Sequence, residues 1–262
     1  MFVKSNILCS PHAFSTRLGG VSTKAHTSSL NLAFDRGDAD ETVLENLGIF
    51  AKNVGFDAHS VVSLPQIHSD IIYTVTRENR GEGYYVRDQI RSGDGYVTCE
   101  RGVTLGIKTA DCVPILFEAH KDGRVVAVGA VHAGWRGTVA GIAKKCVERL
   151  KIEAGVAPKD IRAAIGPCIH KCCYEVSRDV YDAVKDGLGK SFAERFVVST
   201  GREGKYMCDL AGINRELLIE CGLDRENVDV LDECTCCQPK KFYSHRYSNG
   251  VRGTMLSVIF MD

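Results

Sequence analysis

Three short segments of this 262-residue chain carry one thiol and two imidazoles in polar surroundings. They are Gln66-Ile67-His68, Ala110-Asp111-Cys112 and the VHAGWRG stretch that begins at Val131. One Cys sulfur with two His nitrogens suits Zn²⁺, and a catalytic zinc keeps three protein ligands so that water or substrate takes the fourth position. The candidate centre is therefore His68, Cys112 and His132. Intervals of 44 and 20 positions contain no compact metal-binding motif, so the case rests on the elements that position these residues. Residues 124–131 form a nearly continuous apolar run, as in a strand buried on both faces, which places His132 at a strand exit. VTLGIKT at 103–109 alternates as a strand does, and a second apolar run follows at 113–117, so Cys112 lies at a strand junction. Ends of neighbouring strands converge in space even when they are distant in sequence, and the loops they carry collect functional groups. The same residues also read as a buried thiol beside two hydrogen-bonded histidines, because free Cys is among the most buried residue types.

The composition bounds the function class. An apolar fraction of 44% supports a substantial core, and 33 basic against 33 acidic residues give no net field to attract nucleic acid or an anionic membrane. No apolar stretch approaches the roughly 20 residues that span a bilayer, and the opening MFVKSN lacks the basic start and apolar centre of a signal peptide. The reading is a cytoplasmic protein whose 12 cysteines are mostly reduced. Cys146 and Cys221 fall on apolar helix faces. The runs CIHKCC at 168–173 and CTCC at 234–237 are candidates for a second, structural zinc site, although two regular Cys-x-x-Cys pairs are not present.

A helical pattern opens at residues 40–42, with Asp40 as its expected N-cap and Gly55 as its terminator. Strands are predicted at 71–76, 94–98, 103–108, 113–118 and 124–131, a helix at about 138–152, and a strand at 162–165. Further helices are expected at about 178–188 after Ser177, and at 210–221 between Asp209 as cap and Gly222 as terminator. The chain then ends in a predicted strand pair, 228–231 with 254–260. No linker, repeat or low-complexity tract divides it, so the expectation is one α/β (α+β) domain over 1–262, with mixed β-sheets flanked by helices.

Across nearly its whole length the chain resembles the YfiH/laccase-domain family. The resemblance is carried by TRLGGVS at 16–22, SLNL at 29–32, QIHS at 66–69, TADCVPI at 109–115, VHAGWRG at 131–137, IGPCI at 165–169, CYEV at 173–176 and FYSHR at 242–246. It implies zinc-dependent phosphorolysis of adenosine, inosine, guanosine and methylthioadenosine, together with adenosine deamination, and it implies His68, Cys112 and His132 as the metal ligands. Members often carry HVGD where this chain reads FDRGD at 34–38, which puts any part of that stretch in shaping a substrate pocket in question.

The older oxidase label of such proteins fits poorly. A multicopper centre needs many imidazoles, commonly in His-x-His pairs, and the 8 histidines here include no such pair. Copper binding at a single Cys and two His is still compatible with ligand preferences. Deamination by a metal-activated water needs a proton-transfer group, and zinc deaminases use a Glu within a signature missing here. Glu175 is the candidate substitute, although a salt-bridged surface glutamate is the other reading. Asp111 is a candidate for proton transfer or for orienting a ligand. Phosphorolysis needs anion donors, for which Arg17 beside Gly19 and Gly20, and Arg136 beside Gly137, are candidates; these arginines also read as surface pairs and the glycines as turns. Asn31 is a candidate for binding ribose or base, and His245 is a weaker one. Two other readings stand beside this one. The first is a thiol amide hydrolase with Cys112 as nucleophile, editing cell-wall peptide precursors; the second is a redox or metal-storage protein.

Overall fold

In the computed structural model, which describes residues 1–88 and 90–262, the apolar runs read from the sequence are the strands of two stacked sheets. The larger has six strands in the order Val228–Val230, Ile161–Ile165, Val113–Lys121, Arg124–Ala133, Gly95–Thr98 and Ile72–Thr74. Its centre is the antiparallel hairpin Val113–Lys121/Arg124–Ala133, and both outermost pairs are parallel. The second sheet orders Phe2–Val3, His12–Ser15, Met255–Phe260, Thr104–Thr109 and Val61–Val62. A small third sheet joins Glu175–Ser177, Lys205–Cys208 and Val197–Ser199.

Alternation along the strands makes four layers. Leu116, Val128, Ala130 and Ala164 of the large sheet meet Phe14, Leu105, Ile107 and Ile259 of the second sheet. Their sequence neighbours Ile115, Phe117, Val131, Ala163 and Ile165 point the other way, onto the helices Ile142–Ala154 and Leu210–Glu220. The helix Asp40–Val54 covers the far face of the second sheet through Val43, Leu47 and Phe50, packed on Ala13, Leu256 and Val258. Strands buried on both faces read as continuous hydrophobic runs, which is why the central hairpin was legible.

Several expectations need correction. The predicted helix at 138–152 is two helices, Trp135–Val139 and Ile142–Ala154, separated at Gly141, whose φ of 80° is left-handed. The segments at 228–231 and 254–260 are strands but not partners: Val228–Val230 pairs parallel with Ile161–Ile165, whereas Met255–Phe260 lies between His12–Ser15 and Thr104–Thr109. Ala39 occupies the N-cap before Asp40–Val54, and Asp40 sits in the first turn, where its charge complements the helix dipole. Asp209 does cap Leu210–Glu220, accepting from the Gly212 N–H at 2.8 Å. No described helix is long and apolar enough to cross a membrane.

The two sheets meet tightly where Gly166 follows the strand Ile161–Ile165. A Cβ there would lie 2.2 Å from two ring atoms of Phe14, which is itself buried. Gly166→Ala is expected to cost about 1–3 kcal/mol by overpacking, read as a lowered urea midpoint with an unchanged slope; an unchanged midpoint would show that the sheets part freely there.

Candidate metal centre and its cavity

His132 lies on the buried strand Arg124–Ala133, one residue before its end. Cys112 follows Asp111 in the loop between Thr104–Thr109 and Val113–Lys121, and His68 sits in the loop that precedes Ile72–Thr74. That loop is pinned by Gln66, whose side chain receives the Lys108 N–H at 2.8 Å and donates to the Lys108 carbonyl at 2.7 Å. The His68, Cys112 and His132 donor atoms lie within 4.8 Å of one another. The Cys112 Sγ to His68 Nε2 separation is 3.8 Å, and the two imidazoles stand edge to face with centroids 4.8 Å apart. A zinc with Zn–S of about 2.3 Å and Zn–N of about 2.0–2.1 Å in tetrahedral geometry needs an S···N separation of about 3.6 Å. The donor set therefore fits a metal. Gly134 leaves the room, because a Cβ there would come 2.8 Å from His68 Cδ2.

Asp94 organises the centre. It is fully buried just before the strand Gly95–Thr98, and its Oδ1 lies 2.8 Å from His132 Nδ1. An imidazole that donates Nδ1–H presents Nε2 as a ligand. The same carboxylate accepts from the backbone N–H groups of Ile67, His68 and Ser69 at 3.2, 3.1 and 2.7 Å, and from the Ser69 hydroxyl at 2.6 Å. Burial alone would raise the Asp94 pKa, but the His132 and Ser69 hydrogen bonds outweigh it and bring it to about 2. Burial likewise opposes ionisation at Cys112 and His132. The His132 and His68 imidazoles pull the thiol down to about 6, and Cys112 with Asp94 lifts His132 to about 9. Each of the two thus favours the charged form of the other.

These three residues form the floor of a cavity of about 560 Å³. Arg36, Arg87, Lys108 and Arg252 line it, against a single acid, Asp35. The Arg87 guanidinium covers the Phe34 ring at 4.1 Å. Burial, with Arg36 and Arg87 nearby, lowers Lys108 to about 8. Burial, with Arg36 nearby, lowers Arg252 to about 10, and the Arg252 Nε is buried without a partner among the described residues. Crowded cations and an orphaned donor suit an anion, although Arg87 is also paired with Asp40. None of these four residues was singled out from the sequence, and neither was Asp94. Phe34, Asp35 and Arg36 line the cavity, so the divergent FDRGD stretch does shape it.

The other sequence candidates lie elsewhere. The Asp111 carboxylate accepts from the Thr235 hydroxyl at 2.6 Å and the Arg246 N–H at 2.7 Å, so it braces the Cys112 loop. The Glu175 carboxylate is ion-paired with Arg202 and does not line the cavity. Arg17 donates to the carbonyls of Ser28, Pro239 and Ala25 and covers the Tyr243 ring; it lines a smaller cavity of about 180 Å³, shared with Arg252. Asn31 is fully buried, and its amide bridges Ala33, Asp38 and Thr254. Arg136 is exposed and stacks on Trp135 at 4.2 Å. His245 is exposed, and burial with the neighbouring Arg252 lowers its pKa.

The fold and the sequence both have known counterparts. Purine nucleoside phosphorylase YlmD of Bacillus subtilis (strain 168) is 36% identical over 251 residues, covering 95% of this chain and 87% of that protein. Adenosine deaminase RL5, from an unknown prokaryotic organism, is 34% identical over 235 residues, covering 89% of this chain and 87% of that protein. The crystal structure of the Bacillus licheniformis hypothetical protein YfiH superposes with a TM-score of 0.89 at 34% identity, covering 96% of this chain and 92% of that one. Residues 11–262 match the family described as multi-copper polyphenol oxidoreductase laccase, and the chain belongs to that family.

Proposed function

We propose that this chain is a zinc-dependent purine nucleoside phosphorylase that also deaminates adenosine. The observation that carries this reading is the meeting, in one cavity, of the His68–Cys112–His132 donor set with the Arg36, Arg87, Lys108 and Arg252 cations. The names of the relatives, a phosphorylase and a deaminase, support it. Phosphorolysis breaks the bond between C1′ of the ribose and the purine nitrogen while a phosphate oxygen bonds to C1′. Lys108 and the unpartnered Arg252 Nε hold the phosphate, and Arg36 and Arg87 add to the positive field. His68, Cys112 and His132 hold the zinc, which when bound supplies Lewis acidity to an oxygen at its open position. Asp94 keeps His132 in the ligating tautomer. Asp111 is assigned to positioning Cys112, and Arg17 and Asn31 to shaping the surrounding loops. Copper accepts the same ligands, but a multicopper oxidase needs further imidazole clusters. Among the described residues, the only metal-binding group that contains His is this one. Twelve free cysteines suit the reducing cytoplasm.

One arrangement favours a second reading, a thiol amide hydrolase. Cys112, His132 and Asp94 align as nucleophile, base and orienting carboxylate. The decisive assay incubates zinc-loaded protein with adenosine. Adenine and ribose 1-phosphate are expected with phosphate present, and inosine without it. Turnover that survives complete chelation and stops on alkylation of Cys112 would instead identify the hydrolase.

The anion site has its own signature. Lys108→Met is expected to raise the KM for phosphate about 10- to 100-fold, the loss of one charge-assisted hydrogen bond. In the parent protein Lys108 is charged below about pH 8, so phosphate KM is expected to rise above that pH and to lose this rise in the variant. A parallel loss of phosphate-free deamination would move Lys108 out of the phosphate site. Asp94→Asn cannot hold His132 through the same charged acceptor, and is expected to weaken zinc binding about 10- to 100-fold. Competition against a chromogenic chelator measures this, and wild-type affinity in a folded variant would refute the role given to Asp94.

A further inference from the structure

Four cysteines outside the cavity form a second cluster. Cys172 and Cys173 follow the strand Ile161–Ile165, and Cys234 and Cys237 follow Val228–Val230, its parallel neighbour. The backbone brings the two segments together. Cys168 and Cys234 oppose each other as an isolated parallel bridge, closed by Thr235 N–H to the Cys168 carbonyl at 2.9 Å. Each segment then turns tightly. Cys173 and Tyr174 donate to the His170 carbonyl, and Gln238 donates to that of Cys234.

The sulfur geometry follows from these turns. Cys172 Sγ lies 3.7 Å from Cys173, 3.7 Å from Cys234 and 3.5 Å from Cys237, and Cys173 lies 3.3 Å from Cys237. All four sulfurs are free and within 4.8 Å of one another. A disulfide would bring a pair to about 2.05 Å. Four thiolates around one zinc, with Zn–S near 2.3 Å, stand about 3.8 Å apart along each tetrahedral edge. The His170 N–H already points at Cys234 Sγ, at 3.4 Å, which helps a sulfur carry negative charge.

We propose that Cys172, Cys173, Cys234 and Cys237 bind a structural zinc ion. Four protein ligands leave no open position, so this ion supports the fold and performs no chemistry. Its place gives it a task. Thr235, inside the Cys234–Cys237 turn, donates to the Asp111 carboxylate, and Ile169 donates to the Asp111 carbonyl at 2.9 Å. The knot therefore buttresses the residue that precedes Cys112. The Arg246 guanidinium, which donates to the Cys173 carbonyl at 3.1 Å, offsets part of the excess negative charge of a four-thiolate site.

The test is metal content and ligand type on the full chain, purified with reductant and dialysed against a weak chelator. Elemental analysis should find about two zinc ions per chain, falling to about one in Cys172→Ser/Cys237→Ser and, separately, to about one in His132→Ala. Zinc-edge X-ray absorption on the parent protein needs no variant to fold, and should show a first shell richer in sulfur than the one sulfur and two nitrogens of the cavity site. A single zinc with that nitrogen-rich shell would overturn the proposal. So would an intact mass, without reductant, that lacks the four thiol hydrogens, because two disulfides would then occupy the cluster.

Discussion

A buried carboxylate, that of Asp94, ties the loop that carries His68 to the strand that carries His132. Removing an ionised carboxylate from water costs several kcal/mol unless its lone pairs are satisfied. Here five donors converge on it: three successive backbone amides, the Ser69 hydroxyl and the His132 ring. Its pKa of about 2 shows that they outweigh the burial. The arrangement turns a cost into a constraint, because the charge stays satisfied only while loop and strand keep this geometry. The orientation of the His132 imidazole and the place of the His68 backbone follow from that one group.

The same logic accounts for the backbone strain around the cavity. His68 has φ 59° and Asp111 has φ 94°, conformations that a side chain with a Cβ rarely adopts and that cost about 1–3 kcal/mol each. Both are held by hydrogen bonds. The His68 amide is anchored on Asp94. Asp111 is anchored through its carboxylate on Thr235 and Arg246, and through its carbonyl on Ile169. Two of the three donor positions thus depend on segments far along the chain, one of them the turn of the four-cysteine cluster.

What the sequence revealed and what it hid divide along physical lines. The central strands were legible because Val113–Lys121 and Arg124–Ala133 are buried on both faces and therefore continuously apolar. His12–Ser15 and Val61–Val62, of four and two residues, were not read, whereas the comparably short Ile72–Thr74 and Gly95–Thr98 lie inside runs that the sequence marked as strands. The donor set was legible by residue type at strand ends. Asp94 was not, because a lone aspartate among glycines reads as a turn; only its place as the first residue of the strand predicted at 94–98 hinted at an inward carboxylate. Arg36, Arg87, Lys108 and Arg252 come from four separate segments, so no local pattern could gather them. Arg17 stood out beside two glycines, yet its guanidinium is consumed by three backbone carbonyls.

The charge balance of the cavity bears on the two reactions proposed for it. A single thiolate leaves a bound divalent cation with one positive charge, which the Asp94 carboxylate behind His132 offsets, while Arg36, Arg87, Lys108 and Arg252 make the cavity lining itself cationic. Repulsion and burial together already depress Lys108 and Arg252. An anion is therefore the species whose entry relieves the most unfavourable energy, and phosphate placed there lies next to the metal-binding floor. In the proposed enzyme, phosphorolysis needs a phosphate oxygen at C1′ and deamination needs hydroxide at C6, so the two reactions require the nucleoside to be placed differently against the same cationic wall.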